Sequence, residues 1–151
     1  MPALGLDDGS LLTENAAILQ YVADQAPEKK LAPPAGTMER YRLQEWIHFI
    51  STEIHKPFGP LFSPACTEET RQAQLAQISR RLDFVEKSLE GKQYLLGDTF
   101  TVADAYLFAV LNWTRMMGPD LKKWPAVEAY YQRLLSRPSV EAAMTAEGLK
   151  N

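Results

Sequence analysis

The sequence has 151 residues, of which 46% are hydrophobic and 23% charged, and its net charge is −3. A chain of this length and composition can form one globular domain with a buried core. The basic residues occur in scattered pairs such as Lys29-Lys30 and Arg80-Arg81. Phosphate binding needs a basic face or stripe, so these pairs predict no nucleic-acid partner.

Cysteine usage and hydropathy limit the location of the protein. The single cysteine, Cys66, cannot form an internal disulfide, which favours a reducing compartment and a cytoplasmic location. A signal peptide begins with basic residues followed by an apolar run, and the sequence does not show this pattern at its N-terminus. The longest strongly apolar run, about residues 105–111, is far shorter than the ~20 residues of a membrane span. We therefore expect no membrane partner, and we also predict no metal site.

The first 25 residues are predicted to form a β-hairpin and a helix. Strands at Ala3–Leu6 and about Ser10–Leu12 flank Asp8-Gly9, a pair that supplies the backbone angles of hairpin turns. A helix follows from about Asn15 to Asp24, with apolar residues at helical spacing. A two-stranded hairpin is marginally stable alone and has unpaired edges, so the hairpin indicates that a neighbouring segment is missing.

The rest of the chain is predicted to be helical. Residues 26–36 hold three prolines and a glycine without periodicity, and they are interpreted as a linker between a first domain, 1–25, and a second, 37–151. Helices are predicted to begin near Thr37, Thr67, Thr101, Trp124 and Ser139, and Pro57 and Pro60 to kink or end the first of these.

The helix after Thr101 is apolar on nearly every side, which predicts a position at the centre of a helical bundle. Thr101 and Asp104 have the spacing of a capping box, in which two side chains satisfy backbone amides at a helix start. Because a buried helix end cannot use water for this purpose, both residues are interpreted as structural caps and not as catalytic groups.

The order of these elements resembles the cytosolic glutathione transferases. The motifs that carry the resemblance are PALGLDDG, LTENAAILQYVAD, HK after a Trp-bearing helix, FTVADAYLF and WPAVEAYYQRLLSRPSV. HKPF and AEGLK look most like the bacterial beta class. The resemblance implies a mainly α fold, in which residues 1–25 are the C-terminal part of a thioredoxin-like glutathione-binding domain and residues 37–151 are the all-helical domain. It also implies that the first half of the thioredoxin-like domain, with the thiol-activating residue, precedes Met1.

Candidate glutathione ligands lie at the start of the first helix. On the residues alone, Glu14 and Asn15 are helix caps; a helix N-terminus also favours an anion. The resemblance implies that Glu14 binds the ammonium and Asn15 the carboxylate of the γ-glutamyl group. It further implies that a cis bond before Pro2 lets Met1 pair with the cysteinyl part of glutathione, and that Lys56 contacts glutathione.

His55 is the candidate catalytic residue. On the residues alone, Gln44, His48, Ser51 and His55 form one stripe that could be a solvated helix face. The resemblance implies that His55 hydrogen-bonds the glutathione thiol. It also implies an apolar substrate pocket formed by Phe58, Phe62, Tyr106 and Trp113, whereas the residues alone are equally typical of a hydrophobic core.

These residues lead to two alternative functions. The first is glutathione S-transferase activity, in which glutathione is the co-substrate and its thiolate attacks an electrophile or exchanges thiols in detoxification. The resemblance implies a homodimer for this enzyme, and the absent thiol-activating residue implies low activity. The alternative is a non-catalytic, glutathione-transferase-like helical interaction module.

Overall fold

Helices make up most of residues 2–149, the part of the chain that the computed structural model describes. Two strands, β1 (Ala3–Gly5) and β2 (Leu11–Thr13), pair antiparallel before them. The predicted fold class, a hairpin and helix followed by an all-helical domain, is confirmed. The helices are α1 (Asn15–Asp24), α2 (Met38–Phe49), α3 (Lys56–Phe58), α4 (Glu68–Leu89), α5 (Val102–Leu111), α6 (Thr114–Met117), α7 (Pro125–Leu135) and α8 (Pro138–Ala146).

The hairpin turn explains why β2 begins one residue later than predicted. The Asp8 carboxylate accepts hydrogen bonds from the backbone N–H and the hydroxyl of Ser10, at 2.9 and 2.6 Å. These bonds hold Ser10 in the turn, as an Asx turn does. Gly9 has φ of 83°, a conformation that glycine adopts without steric cost.

The chain after α2 changes helix type three times instead of ending at the first proline. A π-helical segment covers Ile50–His55, α3 follows, and a 3₁₀ turn covers Gly59–Phe62. The N–H of Lys56 bonds to the carbonyl of Ser51, five residues earlier. Pro57 has no N–H and its ring crowds the carbonyl four residues before it, and a wider turn just before the proline relieves that conflict.

Helix α5 lies at the centre of the helical domain, as its composition predicts. Eight of its residues are buried, and among them Leu107 and Leu111 have no exposed surface. At its start the Asp104 carboxylate accepts hydrogen bonds from the backbone N–H and hydroxyl of Thr101, at 2.8 and 3.0 Å. Its other oxygen accepts from the N–H of Leu95 and the hydroxyl of Tyr130, at 2.9 and 3.0 Å. One carboxylate therefore joins the start of α5 to a loop and to α7.

Helix α4 caps the N-terminus of α7. The two carboxylate oxygens of Glu86 accept hydrogen bonds from the backbone N–H groups of Ala126 and Val127, at 3.0 and 2.9 Å. The indole N–H of Trp124 donates to Asp83 at 2.7 Å. Glu86 thus satisfies two amides that a helix start leaves unpaired, and Asp83, one turn earlier on α4, holds the side chain of the residue before α7.

Helix α1 is tied to the helical domain by a buried arginine that sequence patterns did not indicate. The guanidinium of Arg40 donates to both carboxylate oxygens of Asp24 in α1 and, at 2.6 Å, to the carbonyl of Pro33. Leu31 packs against the core, and its carbonyl accepts from the N–H of Val102 at 2.9 Å. The predicted linker is thus held against the helical domain, while the division into residues 1–25, 26–36 and 37–151 stays a prediction.

Replacing Arg40 with alanine is expected to lower the free energy of unfolding by about 1.5–3 kcal/mol, the range for a hydrogen bond to a charged group. Arg42→Ala is the matched control, because the Arg42 side chain is 65% exposed and pairs with Glu45 on its own helix; it should cost less than 0.5 kcal/mol. Urea unfolding measures both variants, and equal values would contradict the role of Arg40.

The hydrogen bond between Arg40 and Asp24 also predicts a loss of stability in acid. It holds the pKa of Asp24 below its usual range, so its contribution to the free energy of unfolding is fully present above the usual carboxyl pKa. It is lost as the pH falls through the lowered value, and Arg40→Ala should remove that loss.

Candidate functional site

His55 lies in a cluster of aromatic rings where the π-helical segment meets α5. Its Nδ1 is 2.8 Å from the hydroxyl of Tyr106 on α5. Its ring meets that of Trp113 edge to face, with centroids 4.9 Å apart and planes at 82°. The ring of Tyr106 is 5.7 Å away at 72°. These contacts fix both the position and the orientation of the imidazole.

Trp113 contacts two of the other three predicted pocket residues. Its ring contacts those of Phe58 and Phe62 edge to face, with centroids 5.6 and 5.1 Å apart. Phe58 is fully buried and Tyr106 is 7% exposed, whereas Phe62 is 47% exposed and Trp113 is half-buried. Phe62 and Trp113 therefore offer surface to a small molecule, the buried ring of Phe58 packs against Trp113, and Tyr106 contacts His55.

Burial lowers the pKa of His55 below its ordinary value near 6.5, so the imidazole is neutral at pH 7. Its Nε2 has no hydrogen-bond partner among the described residues. Lys56, the next residue, is exposed. A neutral donor or acceptor and a cation thus lie side by side at the edge of the aromatic cluster.

Glu14 has an unusual backbone conformation at the start of α1. Its φ is 70° and its ψ 117°, a region that residues other than glycine rarely adopt. Its side chain is exposed and caps no amide of the helix, although it occupies the N-cap position. Asn15 follows at the first helical position and is half-buried. The first N–H groups of a helix have no partner within it and can receive an anion.

The structure brings together His55 and the four pocket residues, and it places Glu14 and Asn15 at a separate helix end. No hydrogen bond, ion pair or ring contact within residues 2–149 joins the two groups. Met1 and its bond to Pro2 lie outside the described residues; Pro2 itself is exposed.

A cavity of about 700 Å³ lies between the linker, α5 and α8. Of the predicted pocket residues only Trp113 lines it, together with Leu31, Phe108 and Val140. Its size is within the range of small-molecule sites. Trp113 therefore belongs both to the His55 cluster and to the wall of this cavity.

Neither a membrane span nor a metal cluster is evident in the part of the chain that the structure describes. None of its helices is both long and apolar enough to cross a bilayer. None of its groups of His, Cys, Asp and Glu side chains has three members placed to hold a metal ion.

Known proteins match this chain in sequence and in fold. The family described as "Glutathione S-transferase, C-terminal domain" matches residues 49–138. Glutathione S-transferase GstA of Escherichia coli O157:H7 is 44% identical over 150 residues, which are 99% of this chain and 75% of that protein. The chain belongs to the glutathione S-transferase family.

Two solved glutathione S-transferases have the same fold over nearly the whole chain. The bacterial beta-class enzyme of Sphingomonas chungbukensis has a TM-score of 0.94 and 46% identity. A sphingomonad glutathione S-transferase complexed with glutathione has a TM-score of 0.93 and 44% identity. Each match covers 99% of this chain and 75% of the solved one. The resemblance to the beta class is thereby confirmed.

Proposed function

We propose that this glutathione S-transferase chain binds glutathione and holds its sulfur for attack on an electrophilic substrate or for thiol exchange. Family membership supports the reaction class, and the sphingomonad relative was solved with glutathione bound. The observation that carries the proposal is the conformation of Glu14. A backbone strain of about 1–3 kcal/mol persists only where the surrounding structure holds it, and strained residues cluster at ligand-binding sites. Glu14 is the residue that the resemblance assigns to the γ-glutamyl group.

The γ-glutamyl end of glutathione has two charges, and the start of α1 offers a partner for each. The exposed carboxylate of Glu14 can accept the ammonium group. The first N–H groups of α1 and the side chain of Asn15 can donate to the carboxylate, where the helix dipole also favours an anion. The positive φ of Glu14 turns the backbone between these two contacts.

The cysteinyl end is proposed to lie toward His55 and Lys56. A neutral imidazole whose Nδ1 is already bonded can present Nε2 to the sulfur. The exposed ammonium of Lys56 can pair with a carboxylate of glutathione. The backbone of Met1, next to Pro2, is proposed to pair with the cysteinyl group. The thiolate is the nucleophile, so any group that stabilises it raises the reactive fraction.

The electrophilic substrate is proposed to lie against Phe62 and Trp113, backed by Phe58 and Tyr106. Edge-to-face ring contacts hold Trp113 in place. An apolar wall with a few polar groups is typical of a small-molecule site.

A cytoplasmic homodimer with a role in detoxification is proposed as the physiological form. Support for dimerisation comes from an exposed aromatic surface on α2 and α4. Tyr41 and Phe84 are 56% and 52% exposed, and Phe84 contacts Phe49 at 5.0 Å between centroids. Apolar surface of this kind commonly marks a protein–protein contact.

Two variants of Glu14 test glutathione binding. Glu14→Gln removes the charge, so retention on immobilised glutathione should weaken about 10- to 100-fold, the value of one charge-assisted hydrogen bond. Glu14→Gly should weaken it as much but raise the free energy of unfolding by about 1 kcal/mol, because glycine removes the strain.

Glu28→Gln, at an exposed position in the 3₁₀ turn Pro27–Lys29, is the control and should leave retention unchanged. Calorimetry with glutathione gives the affinities, and urea unfolding gives the stabilities. Unchanged retention in Glu14→Gln would contradict the proposed site. No retention of the unmodified chain, together with a stable dimer on sizing, would instead support the non-catalytic interaction module.

A further inference from the structure

Tyr106 has a hydroxyl whose partner in the described structure is the imidazole of His55. The hydroxyl is 2.8 Å from Nδ1, and the side chain is 7% exposed on the central helix α5. No second partner of this hydroxyl occurs in residues 2–149. A nearly buried polar group is kept only where its hydrogen bond is made, so this pair is a defined feature of the cluster.

The chemistry of the two groups determines which one donates. A neutral imidazole has one N–H and one bare nitrogen, and a phenol has one O–H. The phenol is the more acidic donor, and the bare imidazole nitrogen is the stronger acceptor. The Tyr106 hydroxyl therefore donates to Nδ1 of His55, which leaves the imidazole proton on Nε2.

The hydrogen bond to Tyr106 determines where Nε2 faces. Trp113 meets the imidazole at 82° and Tyr106 meets it at 72°, and these contacts hold the plane of the ring. A half-turn about the Cβ–Cγ bond would keep that plane but move Nδ1 away from the Tyr106 hydroxyl and break the hydrogen bond. Nδ1 and Nε2 lie on different edges of the imidazole. With Nδ1 held by Tyr106, the Nε2–H is directed away from α5.

We propose that Tyr106 is a positioning residue that fixes His55 in the tautomer with its proton on Nε2. One consequence of this inference rests on the proposed function, namely that the fixed Nε2–H donates to the glutathione sulfur. The tautomer itself is a property of the chain without any ligand. Tyr106 thus acts through His55 and does not touch the substrate's reacting atoms.

The chain is suited to a direct test because it has two histidines, His48 and His55. Nitrogen chemical shifts of ¹⁵N-labelled imidazoles report the tautomer of each. In the unmodified chain at pH 7.5, His55 should show the Nε2–H form. In Tyr106→Phe the minor Nδ1–H form should rise about five- to tenfold, the value of one neutral hydrogen bond.

His48 is the internal control, because it is exposed and its Nδ1 lies 2.7 Å from the carbonyl of Gln44 on its own helix. Its signals should not change. Tyr41→Phe, at an exposed position on α2, is the matched variant and should leave both histidines as they are. In Tyr106→Phe the pKa of His55 should also rise, because the lost bond favoured the neutral ring.

Two results would overturn the assignment: an Nδ1–H tautomer at His55 in the unmodified chain, or an unchanged tautomer in folded Tyr106→Phe. The spectrum of the unmodified chain decides the first even where the variant fails to fold. If glutathione also binds, Tyr106→Phe should lower the thiolate fraction about three- to tenfold. Failure to bind glutathione would contradict the proposed function and leave the tautomer result standing.

Discussion

Asp104→Ala is expected to lower the free energy of unfolding by about 3–5 kcal/mol, the largest effect of any single polar substitution in this chain. The Asp104 carboxylate is fully buried and accepts four hydrogen bonds. Alanine leaves the backbone N–H groups of Leu95 and Thr101 and the hydroxyl of Tyr130 without a partner, and each buried orphan costs about 1–3 kcal/mol.

Two further variants show whether this effect comes from the hydrogen bonds. Asp98→Ala, at an exposed position in the preceding turn, should change stability by less than 0.5 kcal/mol. Tyr130→Phe should cost about 1 kcal/mol, because it removes one of the four bonds and leaves the other three. Urea unfolding measures all three. A loss below 1 kcal/mol in Asp104→Ala would show that water or neighbouring groups replace the carboxylate.

His55→Ala is expected to raise the pKa of the bound glutathione thiol by about 1–2 units. A hydrogen bond to a charged group contributes about 1.5–3 kcal/mol, and one pKa unit corresponds to 1.36 kcal/mol. The ultraviolet absorbance of the thiolate, followed against pH with glutathione in excess, measures the shift. His48→Ala removes the other, exposed histidine and should leave the thiol pKa unchanged; equal shifts in both variants would refute a specific role of His55.

The same residue predicts a pH dependence of stability that needs no ligand. Burial lowers the pKa of His55 in the folded chain, so the folded state binds a proton less readily than the unfolded state. Stability is therefore unaffected above the ordinary histidine pKa near 6.5 and is lost as the pH falls from there to the lowered value. In His55→Ala this loss should be absent.

Local sequence rules predicted most of the helix starts. Threonine at positions 37 and 67 accepts a hydrogen bond from the N–H three residues later, as an N-cap does. The apolar composition of α5 predicted its central position because a helix without a polar face has no side to expose. These features depend on residues that are close in the sequence, so local sequence patterns are sufficient to predict them.

The orientation of the candidate site could not be predicted from spacing. The stripe from Gln44 to His55 assumes 3.6 residues per turn, and the π-helical segment Ile50–His55 does not keep that spacing. The partner of His55 is 51 positions away on α5, and no pattern within either helix indicates it. The ion pair between the buried Arg40 and Asp24 was missed for the same reason, since 16 residues and a linker separate them.

The π-helical segment has a consequence for how this site can change between relatives. A π turn arises where a helix holds one residue more than the α form allows. Deleting one residue from Ile50–His55 would restore α-helical spacing, and because the wide turn already absorbs the additional residue, everything after it would keep nearly the same orientation relative to α2. A deletion within the regular α-helix of α2 would instead turn His55 by about 100° about the helix axis relative to the residues before it. The π-helical segment is therefore the place in this region where a relative can gain or lose one residue while His55 keeps its direction toward α5.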